Sequence, residues 1–215
     1  MPQFQPDRAL EIVAPKYGTA YRIGGRLLLT CRHLFDNSND CKVRFRSASN
    51  YSDKQDIDAK VIWKAPDNID IALVELPETI ETCDPVSFGL LPDASSTQKV
   101  KFDFLGFPLF LRYSEDGIKY ATGLHIEGTI DVANLVPHHR LLLNIKDSQD
   151  IQPTDEQLER LAEDQSPWQG TSGSAIVCYG LVIGVQSQHP IRDRPASLEA
   201  ESLARVYDNP EWCEI

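Results

Sequence analysis

The sequence predicts an all-β protein made of two similar lobes, and three observations lead to this prediction. Apolar runs are short and are separated by Gly, Pro, Asp and Ser, which is typical of strands joined by turns. About six such runs lie on each side of a connector at residues 86–98. Only residues 153–164 and 195–207 carry helical signals. This pattern favours two packed β-lobes with few helices.

The first lobe begins with a predicted hairpin at Gly24 and Gly25. These two glycines separate the β-like runs YGTAYRI and RLLLT, which is a good two-residue turn signal. Further strands are predicted for KVRFR (42–46), AKVIWK (59–64) and IALVEL (71–76). The first of these alternates polar and apolar residues, as a half-buried strand does.

The second lobe follows the connector with another set of predicted strands. They are VKFDFLGFP (100–108), GLHIEGTIDV (123–132), RLLLNI (140–145) and the hairpin-like SAIVCYGLVIGVQSQ (174–188). The first of these runs alternates polar and apolar residues, and the third has the composition of a buried strand.

Two stretches predict helices. In PTDEQLERLAED (153–164), Thr154 is followed three residues later by Gln157, which is a capping box. In PASLEAESLARVY (195–207), an opening proline precedes apolar residues that fall on one helical face. The first stretch lies in an acidic segment, 147–164, which is either a solvated helix, a lid or an attractor of basic partners.

Charge and hydropathy exclude several functions. The 215 residues include 21 Lys plus Arg and 32 Asp plus Glu, for a net charge of −11. This acidity argues against nucleic-acid binding, which depends on a basic face. The apolar runs are far shorter than the ~18 residues of a membrane helix, so we expect no membrane partner.

Cysteine usage and the N-terminal residues predict a cytoplasmic protein. Five cysteines show no CxxC or other tight spacing, so we expect free thiols, most of them buried. Cys31, His33 and Cys41 lack a suitably spaced fourth ligand, so no metal site is predicted. The start, MPQFQPDRALEIV, has no secretory signal pattern.

Three local patterns carry candidate chemistry. His33 follows a strand in RLLLTCRHLF, and Asp70 precedes one in DNIDIALVELP; alone, each is more often structural. Ser172 lies in the Gly-flanked loop of WQGTSGSAIVC, which is more specific. A nucleophilic serine needs a neighbouring base and backbone N–H groups aimed at the developing oxyanion, and glycine permits such a tight turn.

The order His33, Asp70, Ser172 on a two-lobe β pattern resembles the trypsin-like serine peptidases of the chymotrypsin fold. TCRHLF is similar to the family's TAAH segment, DIALVEL to its DIAL segment and GTSGSA to its GxSGGP segment. The resemblance covers about residues 15–190.

The resemblance implies two six-stranded antiparallel β-barrels with a C-terminal helix on the second barrel and a short helical insertion in it. The expected first barrel spans 1–88, the connector 89–98 and the second barrel 99–190, and the helix and tail occupy 191–215.

By the same resemblance, the chain is a cofactor-free serine endopeptidase acting on a protein or peptide. Ser172 would be the nucleophile, His33 the general base and Asp70 the carboxylate that orients the imidazole. The backbone N–H groups of Gly170 and Ser172 would form the oxyanion hole.

Candidate substrate-binding residues also come from the resemblance. They are Ser166, Gln169, Ser187, Gln188 and His189. Residues 182–189 are similar to the strand that lines the family's cleft, which places Ser187 near Asp70. Ser166, six residues before the nucleophile, argues against a preference for Lys or Arg.

Two departures from the family pattern bear on regulation. Leu34 stands where secreted members have a cysteine, which indicates an intracellular member. Thr171 replaces the aspartate that zymogen-activated members use, so control is expected from another domain or a partner protein. Two alternatives stay open: a peptide-binding module that does not cleave, and a latent peptidase whose oxyanion loop is collapsed until a partner binds.

Overall fold

The chain folds into two antiparallel β-barrels. The computed structural model describes residues 3–45, 56–91, 98–115, 118–132, 140–146, 153–159, 161, 166–188 and 197–215. The strands of the first barrel are Ala9–Val13 (β1), Tyr17–Gly24 (β2), Leu27–Thr30 (β3), Asp40–Arg44 (β4), Ile57–Lys64 (β5) and Ala72–Glu75 (β6). The later strands are Ser87–Phe88 (β7), Lys99–Gly106 (β8), Arg112–Glu115 (β9), Ile118–Ala121 (β10), Leu124–Asp131 (β11), Arg140–Ile145 (β12), Ala175–Cys178 (β13), Leu181–Gln188 (β14) and Ser197–Ser202 (β15).

The first barrel closes in the strand order β1-β2-β3-β6-β5-β4. Strand β5 shows why these residues form a barrel wall: Ala59, Val61 and Trp63 face the core, while the residues between them are exposed. The predicted hairpin joins β2 to β3, and Gly25 at its turn has a φ of +54°, which favours glycine.

The second barrel has the strand order β13-β8-β11-β12-β15-β14, and a β13–β14 pairing closes it. Along strand β8, buried and more exposed side chains alternate as predicted, and Val100, Phe102 and Phe104 are among the buried ones. The short β7 adds parallel to β14, and β9 and β10 form a separate hairpin. The predicted pair of six-stranded antiparallel barrels is confirmed.

The predicted helix at 195–207 is wrong. Ser197–Ser202 is strand β15, which pairs with β12 on one side and β14 on the other. A short 3₁₀ turn, Leu203–Arg205, follows it. The local sequence favours a helix, but only a strand here pairs the facing edges of β12 and β14 and buries Leu198 and Ala200 in the barrel.

The C-terminal helix is shorter and lies elsewhere than expected. It is α2, Pro210–Glu214, with the Asn209 side chain as its N-cap. Its Trp212 ring lies 5.5 Å from Trp63, and the Trp63 indole N–H donates to Glu211. The helix therefore packs on the first barrel and not, as predicted, on the second.

The acidic insertion contains the predicted capping box. Thr154 N–H donates to Gln157 Oε1 and Gln157 N–H donates to Thr154 Oγ1, opening the helix Asp155–Glu159 (α1). Leu158 is 42% exposed, and α1 buries none of its side chains. The solvated-helix interpretation fits the part of this segment that the structure describes, residues 153–159.

The barrels share a hydrophobic interface where the candidate site lies. Phe107, Ala175, Val177 and Val185 come from the second barrel, yet they pack into the hydrophobic cluster of the first. Strand β13 begins directly after the Ser172 loop, so this packing fixes the loop against the first barrel. In the described residues, no helix has the length and apolarity to cross a bilayer.

The five cysteines are free, and three of them are buried. Burial raises the pKa of Cys41 and of Cys178 to about 12 and raises that of Cys31 well above its ordinary value. Because the thiolate is the reactive form, we expect iodoacetamide at neutral pH to modify exposed Cys213 first and these three only on unfolding. Peptide mass mapping over time checks this, and native-state modification of Cys31 as fast as of Cys213 would contradict it.

Candidate active site

His33 is positioned by the end of strand β3. The chain leaves β3 at Thr30 and forms a 3₁₀ turn over Arg32–Leu34. Leu34 and Phe35 are fully buried and anchor this turn, while the His33 side chain stays 37% exposed. The imidazole is thus held by a rigid turn and open to a ligand.

Asp70 holds His33 with both carboxylate oxygens. The His33 backbone N–H donates to Oδ1 over 2.8 Å, and the Nδ1 atom of the ring lies 2.6 Å from Oδ2. An ionised carboxylate can only accept, so Nδ1 carries the proton and Nε2 keeps a free lone pair. The pair therefore presents a base at Nε2.

The protonation state of Asp70 follows from the same contacts. Burial alone would raise the pKa of Asp70, but the hydrogen bonds and charge of His33, together with the Cys31 thiol, outweigh it and lower the pKa below its usual value. Asp70 is consequently ionised at neutral pH.

Cys31 is a neighbour of the site that no local sequence pattern indicates. Its thiol is fully buried, lies close to Asp70 and donates to the Gln186 carbonyl over 3.0 Å. Burial and the Asp70 charge raise the pKa of the thiol, which keeps it protonated. A cysteine two residues before the histidine was readable from the sequence, but its approach to Asp70 depends on how β3 meets β6.

The Ser172 loop requires its two glycines. Gly170 has a φ of +99° and Gly173 a φ of +96°. A Cβ on Gly170 would lie 2.4 Å from the Phe107 carbonyl oxygen, and one on Gly173 would lie 1.9 Å from the Thr19 carbonyl oxygen. Any side chain at either position would move the loop or its neighbours.

The Ser172 loop and the His33 turn converge on shared partners. The Gln186 carbonyl accepts from both the Cys31 thiol and the Gly173 N–H. A Cβ on Gly18 would lie 2.2 Å from Leu34 Cδ1 and 2.9 Å from the Ser172 carbonyl oxygen, so the absence of a side chain there lets the two segments approach. Within the described residues, no hydrogen bond joins Ser172 Oγ to the His33 ring. Such contacts are commonly long in ligand-free enzymes.

Two backbone N–H groups of the loop are available as donors. The N–H groups of Gly170 and Ser172 donate to no described residue. The carbonyl of the same peptide is engaged in each case: Gln169 O accepts from Leu109 N–H over 2.7 Å, and Thr171 O accepts from Ser174. In a trans peptide the C=O and N–H point in opposite directions, so both N–H groups point away from these donors.

Thr171 is buried and uses its polar groups within the loop. Its N–H donates to the Trp168 carbonyl over 3.1 Å, and its hydroxyl lies within hydrogen-bond distance of that carbonyl and of Gln186 Oε1. The residue before Ser172 is thus neutral and bonded within the loop.

The predicted substrate-binding residues differ in their surroundings. Ser187 is buried, and its hydroxyl has no hydrogen-bond partner among the residues that the structure describes. It lines a cavity of about 460 Å³ that also borders His33, Asp70 and Arg140. Ser187 thus lies near Asp70 without bonding to it. Among the described residues, Ser172 does not line this cavity.

The other predicted substrate-binding residues lie on two segments. Ser166 Oγ accepts from the Trp168 N–H over 3.3 Å, and Gln169 contributes its carbonyl to the Leu109 contact. Gln188 ends β14 opposite Glu199, and His189 lies outside the described residues. Ser166 and Gln169 therefore lie just before the Ser172 loop in the chain.

Two groups of ligand-type side chains cluster in the described residues. Cys31, His33 and Asp70 form one, in which Nδ1 of the histidine already bonds the carboxylate. Asp103, His125 and Glu127 form the other on the outer face of β8 and β11, where His125 Nε2 lies 3.0 Å from Asp103. In each cluster the histidine is committed to its carboxylate.

Comparison with known proteins identifies the family. The family model of the trypsin-like peptidase domain matches residues 18–185, which include His33, Asp70 and Ser172. The chain belongs to the trypsin-like peptidase domain family. It is a serine protease with the chymotrypsin-like fold.

Solved structures share the fold of this trypsin-like peptidase domain at low identity. A protease from M. tuberculosis in its active form is 18% identical, with a TM-score of 0.60 over 94% of this chain and 78% of that chain. A serine protease of human pathogenic astrovirus is 15% identical, with a TM-score of 0.57 and coverage of 94% and 92%. A serine endoprotease from Yersinia pestis is 12% identical, with a TM-score of 0.61 and coverage of 94% and 60%. Among curated proteins, none matches the chain significantly.

Proposed function

We propose that this trypsin-like peptidase domain is an endopeptidase that cleaves a protein substrate with His33, Asp70 and Ser172. The observation that supports the proposal is the pair of hydrogen bonds from His33 to Asp70, which leaves Nε2 of the imidazole available as a base. The free N–H groups of Gly170 and Ser172 supply oxyanion donors beside the nucleophile.

The reaction follows from these positions. Ser172 Oγ attacks the carbonyl carbon of the scissile peptide, and its proton moves to Nε2 of His33. Asp70 stabilises the imidazolium, while the two loop N–H groups stabilise the negative oxygen. The intermediate collapses, His33 protonates the leaving amine, and an acyl ester remains on Ser172. Water, deprotonated by His33, then hydrolyses the ester and restores the serine.

Regulation in this proposal does not use a newly cut N-terminus. The hydroxyl and N–H of Thr171 are engaged within the loop, and a threonine at this position offers no charge to pair with an incoming amine. A regulatory domain or partner protein is the remaining route. The open N–H groups of Gly170 and Ser172 support a loop that is ready in isolation rather than collapsed.

We also propose a cytoplasmic location and no nucleic-acid partner. The five thiols are unpaired, which suits a reducing compartment. The net charge of −11 opposes the binding of phosphate backbones.

The test is labelling with a fluorophosphonate, followed by intact-protein mass spectrometry. We expect one adduct on the wild type and on Ser202→Ala, and none on Ser172→Ala. Ser202 is the control because its hydroxyl accepts from the Ala204 N–H in the turn that follows β15 and has no part in the proposed site. An adduct that persists on Ser172→Ala would overturn the assignment of the nucleophile. A wild type without adduct would favour the peptide-binding module or the latent peptidase, and labelling that appears only with a partner would identify the latter.

A further inference from the structure

Thr19, on strand β2 of the first barrel, touches the Ser172 loop with both its backbone and its side chain. The residue is fully buried. Its N–H donates to the Ser172 carbonyl over 2.8 Å, and its hydroxyl donates to the Gly170 carbonyl over 2.8 Å. The hydroxyl also accepts from the Phe107 N–H over 3.2 Å. One side-chain oxygen therefore links the first barrel to two segments of the second.

The Gly170 carbonyl occupies a sensitive place in the loop. It belongs to the peptide between Gly170 and Thr171, which lies between the two peptides whose N–H groups are the oxyanion donors. Rotation of this middle peptide changes the directions of its neighbours, because they are joined through the backbone dihedrals of Gly170 and Thr171. Gly170 restrains that rotation poorly, since glycine has a wide conformational range.

Three consecutive carbonyls of the loop are each held by a separate donor. Leu109 N–H holds the Gln169 carbonyl, the Thr19 hydroxyl holds the Gly170 carbonyl, and Ser174 holds the Thr171 carbonyl. Only the middle bond comes from a side chain of the first barrel. The barrel that supplies His33 and Asp70 thus also supplies the donor to the carbonyl that lies between the two candidate oxyanion N–H groups.

We propose that Thr19 is a positioning residue for the oxyanion hole: its hydroxyl holds the Gly170 carbonyl so that the N–H groups of Gly170 and Ser172 converge on one acceptor. This inference rests on the proposed peptidase function. Thr19 touches no reacting atom; it acts through the loop.

Two substitutions separate the hydroxyl from the shape of the side chain. Thr19→Val keeps the branched shape but leaves the Gly170 carbonyl and the Phe107 N–H without their buried partner, whereas Thr19→Ser keeps the hydroxyl. We expect Thr19→Val to lower the second-order rate constant of fluorophosphonate labelling by roughly 10- to 100-fold, since a misplaced catalytic group costs that much. Thr19→Ser should restore most of the rate.

A second pair of variants tests the neighbouring carbonyl without touching Thr19. Leu109 opens a 3₁₀ turn after Pro108, whose ψ of 149° suits a following proline. Leu109→Pro removes the N–H that holds the Gln169 carbonyl, while Leu109→Ala keeps it. We expect the proline variant to be labelled slowly and the alanine variant at close to the wild-type rate.

A stability control excludes a general loosening of the fold. Ser202→Ala removes the hydroxyl that caps the Ala204 N–H in a turn away from the loop. All rates are measured below the thermal unfolding midpoint of every variant, and this control should be labelled like the wild type. If Thr19→Val unfolds, Thr19→Ala takes its place as the variant without the hydroxyl, and a folded Thr19→Ala labelled as fast as Thr19→Ser would overturn the inference.

The outcomes for the two proposals are distinct. A wild type that takes no adduct overturns the peptidase function and this inference with it. A labelled wild type and a folded Thr19→Val of equal rate overturn the inference alone. Equally slow labelling of Thr19→Val and Thr19→Ser would also overturn the inference alone. The same holds if Ser202→Ala is labelled as slowly as Thr19→Val. A slow valine variant rescued by serine, with wild-type rates in Leu109→Ala and Ser202→Ala, supports it.

Discussion

Replacement of Asp70 with asparagine is expected to slow the labelling of Ser172 by about 10⁴-fold. Asparagine has nearly the same shape and still accepts from the His33 backbone N–H at Oδ1. Its amide NH₂, however, faces Nδ1 of the ring, where the carboxylate oxygen now lies 2.6 Å away. A donor at that place forces the proton onto Nε2, so the ring offers Ser172 a donor where a base is required.

The matched control for this prediction is Asp67→Asn. Asp67 borders the same cavity as Asp70, but its side chain is 95% exposed and pairs with Arg32. The substitution removes the same charge close to the site without touching His33, so the labelling rate should stay near that of the wild type. Labelling kinetics followed by intact mass measure both variants. Equal slowing in the two would mean that local charge, and not the tautomer of His33, controls the rate.

Replacement of Glu201 with alanine is expected to lower the free energy of unfolding by about 3–5 kcal/mol. Glu201 is fully buried on strand β15, where one oxygen accepts from Arg140 over 2.9 Å and the other pairs with Arg205. Removal of the carboxylate takes away the buried negative charge that both guanidinium groups contact. Arg205 also donates to the Asn68 carbonyl, two residues before Asp70, so the Asp70 segment should loosen as well.

Glu199→Ala is the control for the Glu201 prediction. Glu199 lies on the same strand and contacts the same Arg140, but over 3.4 Å and with a side chain that is 21% exposed. Its removal should cost less than about 1 kcal/mol, because partly exposed pairs are screened by water. Urea unfolding of the wild type and both variants gives the comparison. Similar losses in the two variants would show that burial of Glu201 does not set its contribution.

The candidate site residues could be chosen from the sequence because their signals are local. A strand that ends before a histidine, an aspartate that opens a strand and a serine between glycines can each be read from a few residues. In the structure, two hydrogen bonds join His33 to Asp70. Their separation of 37 residues along the chain carries no geometric information by itself, and the pairing of β3 with β6 brings them together.

Other parts of the site could not be predicted, because they depend on contacts between the barrels. Thr19 has no local signal; its proposed role depends on the approach of β2 to the Ser172 loop within hydrogen-bond distance. Leu109 contributes only a backbone N–H, which any residue except proline would supply. The burial of Cys31 beside Asp70 likewise arises from packing.

By itself the sequence determined the two β-lobes, the Gly24–Gly25 hairpin and the capping box at Thr154, because strand alternation, turn glycines and caps act over a few neighbouring residues. Only the tertiary structure decided the state of Ser197–Ser202 and the place of the C-terminal helix. Helix propensity favours a helix at Ser197–Ser202 by about a few tenths of a kcal/mol per residue. The hydrogen bonds to β12 and β14 and the burial of Leu198 and Ala200 favour the strand by more. Barrel closure outweighs local propensity because a strand edge left open in the barrel wall would leave backbone groups without partners.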